Sequence, residues 1–172
     1  MRKSFLCTLT AILFPALANA AMPFAGTYQT IDDETNTPKS IVQIYEYMDG
    51  DDIEIAGRII ALYGPDGQIS ETLANPTRVA ENVKGKPKMV GLDIIWGMEW
   101  EDDERQYEDG KIMDPKSGKV YSSVMWQETP EILNVRGKIG PFGRTQKWNK
   151  IAPATLPAEL QNIDTSTWRS IK

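Results

Sequence analysis

Carboxylates are the groups in this sequence with the most chemical potential. Asp32-Asp33-Glu34, Asp49 with Asp51 and Asp52, and Glu101-Asp102-Asp103-Glu104 form three acidic clusters. Paired carboxylates can serve as acid and base in glycoside hydrolysis, and Asp32, Asp33 and Asp93 are the set a hydrolase would use. Oxygen clusters can also hold Ca²⁺, but the spacing and the bidentate Glu of an EF-hand loop are missing. The chain has no His, which removes Ser-His-Asp and Cys-His catalysis and every His-ligated metal site. Its one cysteine is Cys7. No nucleophile motif, metal site or cofactor is therefore expected, and charged residues at turn tips ordinarily face water.

Aromatic side chains are the other candidates. Trp96, Met98 and Trp100 alternate along one segment, with Trp126 and Trp148 further on. Bulky apolar groups on the inner face of a small barrel either fill it or wall a pocket for one small ligand. The spacing of these residues leaves both open.

The elements that carry them read as strands. Ile53, Ile55, Gly57, Ile59 and Ala61 alternate with Glu54, Ala56, Arg58 and Ile60. Val90 to Trp100 and Leu133 to Ile139 show the same period of two, the mark of a sheet with distinct faces. Eight strands are expected, at about 24–31, 40–48, 53–63, 89–100, 105–113, 119–128, 131–139 and 142–150. Their connections are short: Asp49-Gly50-Asp51-Asp52, Asp114-Pro115-Lys116-Ser117-Gly118, Thr129-Pro130-Glu131 and Gly140-Pro141. Parallel neighbours need crossovers of a dozen or more residues, so these strands are antiparallel. An up-and-down barrel leaves no unpaired edge and is preferred to a two-sheet sandwich. One connection, 64–88, is long enough to be a lid or a solvated insertion. Beyond 152, Pro153 and Pro157 open a tail, read as a short helix, that Ile163 and Trp168 would pack onto the barrel.

The chain divides into three stretches. Residues 1–20 have the form of a cleaved signal peptide: Arg2 and Lys3, an apolar run from Phe5 to Leu17, and Ala18-Asn19-Ala20 as the cleavage signal. The run is short for a bilayer span and Pro15 interrupts it, so no membrane anchor is expected after cleavage. Residues 21–152 are the β domain and 153–172 the tail. The chain carries a net charge of −5, which argues against nucleic acid as a partner, since phosphate backbones select basic patches. A periplasmic or secreted location follows from the leader.

A family pattern runs through the domain. Gly26-Thr27-Tyr28-Gln29-Thr30-Ile31-Asp32-Asp33 with Pro38-Lys39-Ser40 opens it. Gly85-Lys86-Pro87, Val90-Gly91-Leu92-Asp93-Ile94-Ile95-Trp96-Gly97 and Lys111-Ile112-Met113-Asp114-Pro115 follow. Val135-Arg136-Gly137-Lys138 and Gly143-Arg144-Thr145-Gln146-Lys147-Trp148 complete it. In order and spacing this resembles the bacterial domain of unknown function 2147, over about 24–151. The resemblance implies a lipocalin-like barrel, with Tyr28 where a lipocalin carries Trp. It also implies that Arg144, on the last strand, packs over Tyr28 and closes one barrel end. Asp32, Asp33, Lys39 and Ser40 belong to the family-like opening and would order the first loop over the barrel mouth through local hydrogen bonds.

The reading that results is an all-β, lipocalin-like protein, exported and non-enzymatic. It would hold a small apolar or amphipathic molecule against a wall of Val42, Ile44, Ile55, Ile59, Leu92, Ile94, Trp96, Val124, Trp126 and Val135. The alternatives are a protein-interaction module of the envelope with a filled barrel and, third, the carboxylate hydrolase.

Overall fold

The computed structural model describes residues 24–170. Ten strands run antiparallel in chain order: β1 (Gly26–Ile31), β2 (Pro38–Asp49), β3 (Asp52–Tyr63), β4 (Ile69–Thr72), β5 (Asp93–Glu101), β6 (Gln106–Glu108), β7 (Lys111–Met113), β8 (Val120–Thr129), β9 (Ile132–Ile139) and β10 (Phe142–Lys150). Pairing of β1 with β10, and of β3 with β5, closes the sheet on itself. β6 and β7 share one place in the wall, between β5 and β8. The result is a closed barrel of eight strand positions, with β4 added outside the circuit along β3. Closure pairs backbone groups that an open edge would leave exposed.

Local chemistry sets the turns. Asp49 pairs with Asp52 and Ile139 with Phe142, so both hairpins turn on two residues. Gly50 and Gly140 take the left-handed φ of 64° and 55° that such turns demand and that a side chain would oppose. The expected strand at 105–113 is broken because Asp109 takes a positive φ and Gly110 lies against Met98. The expected strand at 89–100 starts only at Asp93. Gly91 is left-handed there, although its N–H still reaches Ile59 and Ile59 donates to Leu92.

The long connection is an ordered but largely exposed cover, pinned where Glu71, Thr72 and Ala80 are buried. Ala80, Val90 and Leu92 are buried in the main core, with Val83 and Met89 packed on it. Glu71 holds the segment's start by accepting bonds from the N–H groups of Thr77 and Arg78 and pairing with the Arg78 guanidinium. Burial opposes ionisation of Glu71, but these donors outweigh it and hold its carboxyl down to about 2. The cover's tip rests on the β7–β8 turn, where the Asn82 side chain donates to the Lys116 carbonyl, 2.7 Å. A Cβ on Gly118 would lie 2.2 Å from the Asn82 carbonyl oxygen, so this seat needs glycine.

The tail crosses the outer face of β2 and β3. It forms two single 3₁₀ turns, Pro153–Thr155 and Ala158–Leu160, where a short helix was expected. Pro157 keeps Leu156 extended and prevents the turns from merging. Leu156 and Leu160 are buried against Ile41, Ile60 and Ala61, with Ile163 and Trp168 beside them.

Candidate ligand-binding cavity

The barrel is filled in one half and open in the other. At the closed end Tyr28, Val42, Ile44, Ile55, Met98, Met125 and Leu133 are fully buried. Phe24 enters beneath them, edge-on to Trp100 and Tyr107 with ring centroids 5.8 and 5.2 Å away. The Tyr28 hydroxyl donates to the Phe24 carbonyl, and burial pushes the Tyr28 phenol up to about 12. Lys150, at 5.8 Å from the ring centre, is the cation over Tyr28.

That placement corrects the expected cap. Arg144 pairs with Gly137, whereas Tyr28 pairs with Lys150 six residues further along β10. At about 3.4 Å per residue this puts Arg144 near the opposite end of the barrel. Its side chain is 67% exposed and reaches Asp33, with Nη2 3.1 Å from Oδ2.

The open half holds a cavity of about 660 Å³. Ile59, Ile94, Ile112, Val135 and Trp148 form its apolar walls, and Gly137 leaves room beside Ile112 and Tyr121. Its mouth is charged: Asp32, Asp33 and Glu34 from the β1–β2 loop, Lys39 from the start of β2, Asp114 and Lys116 from the β7–β8 turn, and Arg144 from β10. Such a volume, with apolar walls beneath a charged mouth, lies in the usual range of small-molecule sites.

Short-range bonds hold the mouth. Asp32 accepts from the N–H groups of Thr35 and Glu34 and from the Thr35 hydroxyl; these bonds, Thr35's first, lower its pKa. Lys39 stands 3.8 Å from Asp32. Ser40 shares a 2.7 Å hydroxyl contact with Thr30 at the loop's base. Asp33 joins the loop to β10 through Arg144 and the Gln146 amide. Burial resists ionisation of Asp114, but the Ser117 hydroxyl and the Lys116 N–H, with Lys39 nearby, lower its pKa.

The structure separates the expected wall residues into three groups. Ile59, Ile94 and Val135 border the cavity. Val42, Ile44, Ile55 and Leu92 are buried in the core without bordering it. Trp96, Val124 and Trp126 do not line it at all. Trp96 is displaced by irregularities on both sides: β5 pairs Met98 with Ile55, Ile95 with Gly57 and Asp93 with Arg58, so strict alternation fails. Ile95 takes an inner place instead, against the face of Gly57. On β8 the inner residues are Tyr121 and Met125, which turns Val124 and Trp126 outward to a groove shared with Trp100, Arg105, Arg136 and Lys138. The missed apolar wall residues are Ile112 and, 1% exposed, Trp148. The signal for Trp148 was the alternation Phe142, Arg144, Gln146, Trp148, hidden because two of the four are polar.

The carboxylates considered for hydrolysis do not converge. Asp32 and Asp33 sit at the mouth. Asp93 lies on the outer face of β5, bound to Arg58 by two bonds of 2.8 and 2.9 Å and to the Tyr45 hydroxyl. Among the described residues no group of three His, Cys, Asp or Glu is placed to hold a metal, and no helix is long and apolar enough to cross a membrane. The expected leader, 1–20, lies outside the described residues.

Comparison with known proteins agrees with this architecture. No curated protein matches the chain. A solved structure titled "Protein HP1028 from the human pathogen Helicobacter pylori belongs to the lipocalin family" is similar, with a TM-score of 0.54 and 19% identity, over 74% of this chain and 82% of that one. At that identity the likeness is one of fold, and the fold is lipocalin-like. The family described as "Uncharacterized protein conserved in bacteria (DUF2147)" matches residues 26–150, the whole of the barrel, and the chain belongs to that family.

Proposed function

We propose that this protein is an exported carrier that holds one small amphipathic molecule in the open half of its barrel and performs no chemistry on it. The observation that carries this reading is the cavity itself: apolar walls from Ile59, Ile94, Ile112, Val135 and Trp148 beneath a mouth of fixed charges. An apolar chain gains by leaving water for such a wall, at roughly 25 cal/mol per Å² buried. A polar head gains by staying among the mouth side chains. The carboxylates there already accept turn N–H groups or pair with Arg144, which suits them to shaping an entrance more than to proton transfer. Export rests on the form of residues 1–20, and sequencing the mature N-terminus checks cleavage after Ala20.

The test is a long-chain fatty acid titration followed by tryptophan fluorescence, since Trp148 borders the cavity. We expect micromolar affinity, about −8 kcal/mol. The double variant Ile94→Phe, Val135→Phe should fill the space and abolish uptake while leaving the fold intact. A packed barrel would instead be overfilled by each ring, at about 1–3 kcal/mol. No uptake by the wild type, together with a strongly destabilised double variant, overturns the reading.

A further inference from the structure

The rim of the mouth is uneven, and exposed apolar side chains gather on one side of it. Phe142 and Ile139, the pair flanking the β9–β10 turn, are 79% and 67% exposed, the two most exposed large apolar residues among those described. Val120, at the start of the adjoining β8, is 49% exposed. Isolated apolar residues on a surface are ordinary, but three on neighbouring strands at the entrance of an apolar cavity are not scattered. The tip between Phe142 and Ile139 is Gly140-Pro141, which adds no charge.

Basic side chains surround this tip. Lys116 and Lys119 belong to the β7–β8 turn, and Lys138 immediately precedes Ile139. None of the three forms an ion pair among the described residues. Of the acids on the same rim, Asp33 pairs with Arg144 and Asp32 faces Lys39, while Asp114 accepts only from the Ser117 hydroxyl and the Lys116 N–H and keeps its charge, so three lysines stand against one carboxylate on this side. Glu34, on the β1–β2 loop, is the fourth carboxylate of the mouth. In a chain of net charge −5, a local basic cluster orients the molecule toward an anionic surface while the rest of it is repelled.

We propose that the β7–β10 side of the mouth docks on an anionic lipid bilayer. Phe142 and Ile139 enter the interface between headgroups and acyl chains, and Lys116, Lys119 and Lys138 face the lipid phosphates. Apolar insertion and electrostatic attraction then add, as they do for other interfacial proteins. The cavity opens onto the surface it docks with, so an amphipathic molecule passes between bilayer and barrel without crossing water. The passage rests on the carrier reading; the docking does not.

Flotation with phosphatidylglycerol vesicles, compared with phosphatidylcholine vesicles, tests the docking. Binding to the anionic vesicles, weakened by salt, is expected. Lys119→Glu with Lys138→Glu lies outside the cavity walls. It should lower vesicle affinity at least about twenty-five-fold, given roughly fivefold per lysine removed, and leave fatty acid uptake in solution unchanged. Phe142→Ser should weaken vesicle binding about tenfold or more. Fatty acid uptake without vesicle binding overturns the docking and leaves the carrier reading standing. Equal binding to both vesicle types overturns it too. So does a dimer in sedimentation that Phe142→Ser dissociates, because the tip would then be covered by a second copy of the chain.

Discussion

Arg144 on the last strand and Asp33 in the first loop meet on the barrel rim beside the β1–β10 seam, Nη2 to Oδ2 at 3.1 Å. The contact ties two segments 111 residues apart at the edge of the entrance, which both residues line. It is also solvent-exposed, which limits its energetic worth to about 0–1 kcal/mol. Arg144→Met should therefore leave the urea midpoint nearly unchanged while speeding ligand release, read by stopped-flow displacement. A loss of several kcal/mol would mean that Arg144 bears on the core.

The buried counterpart lies on the outer wall. Arg58 donates twice to Asp93 and stands 4.4 Å over the ring of Trp168. Its Nη2 also donates to the Arg169 carbonyl, 3.1 Å. The Asp93 side chain is fully buried, so Arg58→Met leaves a carboxylate in a dry site and should cost about 3–5 kcal/mol. Trp168→Ala removes only the tail's grip and should cost less, with faster proteolysis beyond residue 160. Urea melts and limited proteolysis separate the two effects.

Glu71 makes acid stability specific. Its carboxyl is held at about 2 against an ordinary 4.5. A depressed folded pKa means the unfolded chain takes up the proton first as pH falls. The stabilisation is thus complete above about 4.5 and is lost as pH drops toward 2. Glu71→Gln should flatten the stability profile across that window and lower the plateau above it. A parallel profile in the variant would place the acid sensitivity elsewhere.

The cover's seat should be equally local. Gly118→Ala sets a methyl against the Asn82 carbonyl, at a residue whose φ is 71°. The strain of such a side chain is about 1 kcal/mol or more. Amide exchange of Ala80 and Val83, which bond to Pro87 and Ala80 within the cover, should accelerate while the strands of the closed end stay protected. Uniform acceleration would show that cover and barrel open as one unit.

Much of this was legible from residues alone, and the exceptions share a cause. Period-two alternation and two-residue turns fix strand order, and together with the short connections they lead to a closed antiparallel barrel. Assigning Asp32, Asp33, Lys39 and Ser40 to a loop over the mouth rests on the family resemblance, because polarity at a strand junction does not say which barrel end is open. The wall was less legible. Alternation gives two faces, not which one is inside, and on β8 the outer face carries the larger ring, Trp126, while Tyr121 and Met125 point inward. On β5, irregular pairing around Ile94 and Trp96 shifts the faces mid-strand. On β10, Arg144 and Gln146 give the inner face a polar look and conceal Trp148. Depth along the barrel is also invisible to periodicity, so Val42 and Ile44 read as wall residues when they fill the closed end.

Native mass spectrometry of the protein purified from the cells that produce it tests the carrier claim most directly. The account predicts one copy of an amphipathic molecule per chain, retained under gentle conditions and missing from the Ile94→Phe, Val135→Phe variant. A wild type at its bare mass that also takes up no added fatty acid or phospholipid would contradict it.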